Sequence, residues 1–302
     1  MTQATLQYRL VQTEGMCFEV SQHGEGERLA LLLHGFPECA YSYRYQIPRL
    51  VELGYRVWVP NLRGYGNSDK PRGRRAYALD RLEQDVTALI DASGARSVLL
   101  AGHDWGGAIA WSYGSFGPRP LTGLVILNSP HPACFQRHLR SPAQLRRSWY
   151  MFLNLLPLLP ERLLSANRHA YLLAALRSWP VHKENFGPEE LDVYRANATK
   201  PGALTAMLNY YRAMPYDIWL HRRRGVGRVR APTLIIWGEQ DRALGRELLD
   251  GTERFVDDLT IRTIPDASHW VQQDAPDKVN ALLERWLHER GLVGTDVRAA
   301  SA

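Results

Sequence analysis

Ser97-Val98-Leu99-Leu100-Ala101-Gly102-His103-Asp104-Trp105-Gly106-Gly107-Ala108-Ile109-Ala110-Trp111-Ser112-Tyr113 is the stretch on which the fold turns. Its first half is an apolar run that reads as a buried strand, and from Ala108 it reads as a helix, so the chain must reverse sharply around Asp104. A turn of this kind crowds the backbone. Small residues two before and two after the apex relieve the crowding, and Gly102 and Gly106 stand there. The residue lifted to the apex is an aspartate. A carboxylate is already ionised near neutral pH and can attack without a base to activate it. Attack on a saturated carbon would give an alkyl ester, which a histidine-activated water can then hydrolyse. The plainer alternative is an aspartate that only caps the helix starting near Trp105.

Outward from this turn, strand and helix patterns alternate, which predicts a mostly parallel sheet covered on both faces. Residues 16–20 and 29–33 read as strands separated by Gly24-Glu25-Gly26, and 41–53 as a helix ended by Gly54. A strand at 56–60 leads into a loop, 61–69, punctuated by Gly64 and Gly66. Residues 79–92 carry Leu82, Val86, Leu89 and Ile90 at helical spacing and stop before Gly94. Another strand is predicted at 121–127. From about 129 to 224 the pattern changes to helical periods rich in Leu, Arg, Tyr and Trp, with no convincing strand. Strand character returns at 233–237 and 259–264, and an amphipathic helix at 276–289 closes the pattern. The expected architecture is α/β, a mostly parallel central sheet flanked by helices. A helical cap, 131–224, is inserted between two core segments, 1–130 and 225–302, and the end from about Gly294 is expected to be flexible.

The composition is that of an ordinary globular protein: 45% hydrophobic and 23% charged residues over 302 positions allow a large core and exclude a disordered chain. The formal charge of +6 sits largely in arginine clusters, one at Arg222-Arg223-Arg224 with Arg228 and Arg230, another at Arg137, Arg140, Arg146 and Arg147. Such clusters can bind nucleic acid or anionic lipid. With no helix-turn-helix, zinc-finger or RNA-binding signature beside them, they read instead as a solvated face near the lid. Three cysteines, Cys17, Cys39 and Cys134, show no CxxC spacing, so neither a disulfide framework nor a zinc site is expected and a reducing compartment fits. The first nine residues lack the apolar core of a signal peptide, and the longest greasy stretch, 150–159, is far too short to span a bilayer. The expected location is the cytoplasm.

Three further segments can be set beside Asp104. His34-Gly35-Phe36-Pro37-Glu38 follows a predicted strand, so the N–H of Phe36, with that of Trp105, could form an oxyanion hole for ester hydrolysis. Trp237-Gly238-Glu239-Gln240-Asp241 brings a carboxylate to the end of another strand, and Asp266-Ala267-Ser268-His269-Trp270 brings a histidine after the last. Nucleophile, acid, histidine is the chain order expected for a fold of this kind. Asp241 is the preferred acid over Glu239, Asp266 and Asn128: Glu239 follows its strand too closely, Asp266 adjoins His269 in sequence but points elsewhere, and Asn128 is no carboxylate.

HGFPE at 34–38, YRYQIP at 43–48, GYG at 64–66 and GHDWGG at 102–107 together resemble the α/β-hydrolase epoxide hydrolases. SWYMF at 148–152, NYYR at 209–212, GEQD at 238–241 and SHW at 268–270 extend the resemblance over nearly the whole chain. It implies hydrolysis of an epoxide to a vicinal diol, with Tyr150 and Tyr211 of the lid polarising the epoxide oxygen and with neither cofactor nor metal. A phenolic O–H suits that task, because the leaving alkoxide is strongly basic. Tyr210 competes with Tyr211 for the role, since adjacent residues on a helix face different ways. Where many relatives read F-Q-L-P after the first lid tyrosine, this chain has Leu155-Leu156-Pro157 and loses an amide. Trp149, Phe152, Trp179 and Trp219 give the lid an aromatic character that points to a small hydrophobic epoxide as substrate. No nucleic acid and no stable membrane insertion is expected, and a homodimer is compatible with the sequence.

Two rival readings remain. Haloalkane dehalogenases resemble this chain in an aspartate followed by Trp, but many of them have Asn, a halide donor, where Phe36 stands. Fluoroacetate dehalogenases share HGFP but favour an arginine after the nucleophile. A non-catalytic binding protein of the same fold would have no need to keep Asp104, Asp241 and His269 together.

Overall fold

The computed structural model describes residues 2–293; the end expected to be flexible lies outside them. Eight strands form one sheet: β1 (Tyr8–Thr13), β2 (Met16–His23), β3 (Arg28–Leu33), β4 (Arg56–Pro60), β5 (Ser97–His103), β6 (Gly123–Leu127), β7 (Thr233–Gly238) and β8 (Leu259–Ile264). Their order is β1-β2-β4-β3-β5-β6-β7-β8. β1 and β2 run antiparallel to each other, and β2 runs antiparallel to β4; every other pairing is parallel. The interior strands β6 and β7 are buried at every position, as parallel strands covered on two faces must be.

Among the described residues eleven α-helices accompany the sheet: α1 (Gln46–Glu52), α2 (Leu79–Ser93), α3 (Trp105–Phe116), α4 (Pro132–His138), α5 (Pro142–Arg147), α6 (Trp149–Asn154), α7 (Leu159–Ser178), α8 (Pro188–Ala198), α9 (Ala203–Arg224), α10 (Val271–Asp274) and α11 (Pro276–Glu289). Side chains alternate across the strands and so build two cores. Leu29, Leu31 and Leu33 pack with Leu82, Val86 and Leu89 of α2 and Ile109 of α3. Ala30 and Leu32 face the other way, onto Ile47 and Leu50 of α1 and Val279, Leu283 and Leu287 of α11. Gly94 ends α2 in the left-handed conformation that a residue with a Cβ resists. Between β6 and β7 the described chain is helical, α4 to α9, and Leu204, Met207 and Tyr210 of α9 join the first core.

Three expectations need correction. The helix expected over 41–53 is a short turn at Ala40–Tyr43 followed by α1, although Arg44 and Tyr45 between them keep right-handed helical backbone angles. The strand expected from 121 begins at Gly123. β1 was not expected at all: it is an edge strand, exposed at most positions, and so lacks the apolar pattern that marks a buried strand.

Candidate active site

Parallel strands deliver the loops after their C-terminal ends to one edge of the sheet, where ligands of open α/β sheets bind. β5 lies between β3 and β6, with Gly102 in register with Leu33 and His103 with Leu127. The residues that follow β3, β5 and β6 therefore meet. Asp104 sits at φ 50°, ψ −117°, a conformation rare for a residue with a side chain and costing about 1–3 kcal/mol. The two glycines permit it: a Cβ on Gly102 would run into the backbone of Gly106, and one on Gly106 into the backbone of Leu33.

Asp104 occupies the position before α3 yet makes no side-chain capping bond to it. Its Oδ1 instead accepts the Phe36 N–H at 2.8 Å. Gly35 is required for this approach, since a Cβ there would strike the Asp104 side chain at 2.5 Å. Trp105 opens α3, so its N–H is among the amides that the helix itself leaves unpaired. Capping is thus excluded as the side chain's purpose.

Behind Asp104 stands His269, buried, with Nε2 3.6 Å from Asp104 Oδ2 and Nδ1 2.7 Å from Asp241 Oδ2. Asp241 is fixed by three donors: Asn128 Nδ2 at 2.8 Å on Oδ2, and the Ala243 and Leu244 N–H groups at 2.8 and 2.9 Å on Oδ1. The competing acids are engaged elsewhere. Asp266 holds Lys278 at 2.6 Å, and Glu239 stands 3.5 Å from Arg246. Asn128, weighed as a rival acid, is instead the prop of Asp241. Burial works against charge on His269 and on Asp104, but it is overcome. The Asp241 and Asp104 carboxylates push His269 up to about 10, while His269, His103 and the Phe36 N–H hold Asp104 below the usual carboxylate range.

A second buried network went unread in the sequence. Glu38 accepts Gly35 N–H and His103 Nδ1 on one oxygen, at 2.9 and 2.7 Å, and the amides of Gln272 and Gln273 on the other, at 3.0 and 2.7 Å. His103 Nε2 reaches the His269 carbonyl at 2.8 Å, so the ring ties the histidine loop to the turn carrying Asp104. The one available signal was two polar residues, Glu38 and His103, inside segments that end buried strands.

The helices between β6 and β7 close over Asp104. Tyr150 of α6 and Tyr211 of α9 line the same cavity as Asp104 and Trp105, with their ring centroids 6.2 Å apart. Tyr211 also packs edge-on against Phe36 and Trp105, at 5.4 and 5.2 Å. Tyr210 faces away and donates its hydroxyl to the Arg63 carbonyl at 2.9 Å. Burial, with Asp104 nearby, raises the Tyr150 and Tyr211 hydroxyls above the ordinary phenol value, which keeps them protonated as donors.

The remaining cavity wall is mostly apolar, from Phe135, Leu139, Met151, Met214 and Ile218, with Ser129, Gln136, Asp217 and His221 as polar exceptions. The aromatic residues expected to shape it are elsewhere. Trp149, Phe152 and Trp219 are exposed, and Trp179 packs on Trp270 at 6.0 Å. Leu155 and Leu156 likewise point to solvent. Among the described residues no group of three or more metal-ligating side chains occurs, and no helix is long and apolar enough to cross a membrane.

Comparison with known proteins agrees with this geometry. Residues 31–276 match the model of the alpha/beta hydrolase fold family. The chain is 38% identical to human epoxide hydrolase 4 over 93% of its length and 78% of that protein's. It is 30% identical to epoxide hydrolase A of Mycobacterium tuberculosis over 92% of this chain and 96% of that one. Among solved structures, an epoxide hydrolase variant from Bacillus megaterium complexed with its product (R)-3-[1]naphthyloxy-propane-1,2-diol superposes with a TM-score of 0.84, at 29% identity, covering 93% of this chain and 100% of that one. Fold, order of site residues and kinship over almost the full length converge: the chain belongs to the epoxide hydrolases of the α/β-hydrolase fold.

Proposed function

We propose that the protein adds water to a small hydrophobic epoxide, giving a vicinal diol through an ester on Asp104. The observation that carries this reading is a carboxylate at the apex of a strained turn, facing one cavity together with two buried lid phenols and backed by a histidine–carboxylate pair. In the first step an Asp104 oxygen attacks an epoxide carbon and the C–O bond of the ring breaks. Tyr150 and Tyr211 donate hydrogen bonds to the departing oxygen, and one of them gives up its proton to it; of the two protons of the water consumed in the second step, one returns to that phenolate and the other completes the second hydroxyl of the diol. In the second step His269, oriented by Asp241, takes a proton from water as that water attacks the ester carbonyl. The N–H groups of Phe36 and Trp105 receive the oxyanion, and collapse releases the diol and restores the carboxylate.

The lid residues are then a cap, 131–224, on a core formed by 1–130 and 225–302; the succession of helices α4 to α9 between β6 and β7, with α7 kinked at 166–169, supports this division. The three cysteines are all unpaired, which supports a reducing, cytoplasmic setting. A single turnover in heavy-oxygen water tests the chemistry. The label is expected in the Asp104 carboxylate, and label found in the diol alone defeats the covalent route. Halide release from haloalkanes is the control for dehalogenation.

A further inference from the structure

The outer side of the lid carries two features that the chemistry at Asp104 does not use. The first is apolar. α6 turns Tyr150 and Met151 toward the cavity and its other side toward solvent, where Trp149 is 63% and Phe152 53% exposed. The chain continues through Leu155 and Leu158, the latter 69% exposed at positive φ on the tip of the loop, into Leu159 and Leu163 on the first turns of α7. A contiguous exposed run of large apolar side chains is unusual on a protein surface that meets only water, and it marks an interaction site.

The second feature is charge. From 131 to 178 the sequence has seven arginines and a single acidic residue, Glu161, so this segment alone carries +6, the formal net charge of the entire chain. Glu161 is turned inward to Arg212 at 2.7 Å and does not offset it. Arg147 is paired with Glu247, but Arg140, Arg146 and Arg162 are exposed and have no ion pair among the described residues. In the other arginine cluster Arg224 is held by Glu83 and Arg228 by Asp257, Arg223 lies over the Trp219 ring, and Arg222 and Arg230 are exposed, with no apolar ridge like that of residues 149–163 beside them in sequence.

An exposed apolar ridge flanked by unpaired arginines fits one kind of partner. Two copies of a surface carrying +6 repel each other, and an acidic protein face would leave Trp149 and Phe152 without an apolar counterpart. An anionic bilayer offers both, negative headgroups for the arginines and an interfacial zone that accepts Trp, Phe and Leu. We propose that the outer face of the lid docks on anionic lipid surfaces, with Trp149, Phe152 and Leu158 entering the headgroup region and Arg140, Arg146 and Arg162 lying on it. No helix crosses the bilayer in this arrangement; contact is peripheral and reversible.

Co-sedimentation with vesicles tests this on the whole protein, without reference to turnover. Vesicles of phosphatidylcholine mixed with phosphatidylglycerol are expected to bind at least about 10-fold more protein than phosphatidylcholine alone, with added salt reversing the difference. The pair Phe152→Ser with Leu158→Ser, and separately Arg140→Gln with Arg146→Gln, should each lower the partition by about 10-fold. Unchanged hydrolysis of a water-soluble substrate in both variants would show that the fold is intact. Binding indifferent to lipid charge, or unaffected by either pair of substitutions, overturns the proposal. So does a stable dimer in size-exclusion chromatography that Phe152→Ser with Leu158→Ser dissociates, for then the ridge is covered by a second copy.

Discussion

His269 Nε2 lies 3.6 Å from Asp104 Oδ2, beyond a good hydrogen bond but well within range of its charge. The ring is therefore placed between two carboxylates, Asp241 on one side and Asp104 on the other, and is pushed up to about 10 by both despite its burial. A charged imidazolium cannot accept a proton from water. Ester formation changes that, because it removes the charge of Asp104 and with it one of the two causes of the shift. In the proposed mechanism His269 thus becomes a competent base when the ester exists to be hydrolysed.

Asp104→Asn mimics this loss of charge. Its His269 ring, followed by NMR, should titrate clearly below the wild-type value of about 10; an unchanged titration would remove Asp104 from the argument. The same shift bears on stability. A histidine raised from about 6.5 to about 10 in the fold stabilises fully below the lower value, and that stabilisation is lost as pH rises through the upper one. Asp104→Asn should accordingly flatten the loss of thermal stability between these two values.

His269→Gln separates the two chemical steps. Asp104 needs no base to attack, so the first step should survive while the second fails. Intact-mass measurement after mixing with substrate is expected to show protein heavier by one epoxide. Steady-state turnover should fall by about 100 to 10,000-fold, the usual share of a positioned general base. Wild-type turnover, or inactivity with no adduct, contradicts the assigned role.

The lid tyrosines are distinguished by direction. Tyr150→Phe and Tyr211→Phe should each slow adduct formation by about 10 to 1000-fold, corresponding to roughly 1.4–4 kcal/mol of lost stabilisation of the alkoxide. Tyr210→Phe removes a hydroxyl bound to the Arg63 carbonyl, so it should cost about 1 kcal/mol of stability and leave adduct formation nearly intact. Stopped-flow fluorescence and chemical denaturation read the two effects apart. A slow Tyr210→Phe beside a fast Tyr211→Phe would reverse the assignment.

What the sequence made legible follows from how local the cause is. The elbow could be read because its demands are local: two glycines, an apolar strand before and a helix after. The choice of Asp241 could be read from chain order and distance from a strand end. Glu38, His103 and Asn128 could not, because their function lies in partners 65 to 235 residues away that no local pattern announces. The lid aromatics were misplaced for a related reason. Periodicity tells which residues share a helix face but not which face meets the cavity, so Trp149 and Phe152 read as pocket wall when α6 turns them outward.

Asp217 presents a different case, a carboxyl whose position is costly when ionised. It is 5% exposed on α9, in the wall of the cavity. Its Oδ1 accepts the Leu79 N–H at 2.9 Å and so caps α2, a core helix with no capping side chain of its own, while Oδ2 has no partner. Burial pushes this carboxyl up to about 7, against the helping hydrogen bond from Leu79. Because the folded state holds the proton more tightly than the unfolded chain does, stability falls as pH rises from about 4 to about 7 and stays lowered above that. Asparagine keeps an oxygen for Leu79 and cannot ionise. Asp217→Asn should therefore gain on the order of 2–4 kcal/mol over wild type at pH above 7 and little near pH 4. Asp217→Ala, which also loses the cap, should gain less than Asn by about 1 kcal/mol. Denaturant titrations of the three proteins at both pH values decide it. An Asn variant no more stable than wild type at the higher pH would mean that Asp217 finds compensation for its charge, and that this end of the cavity is wetter than its apolar walls imply.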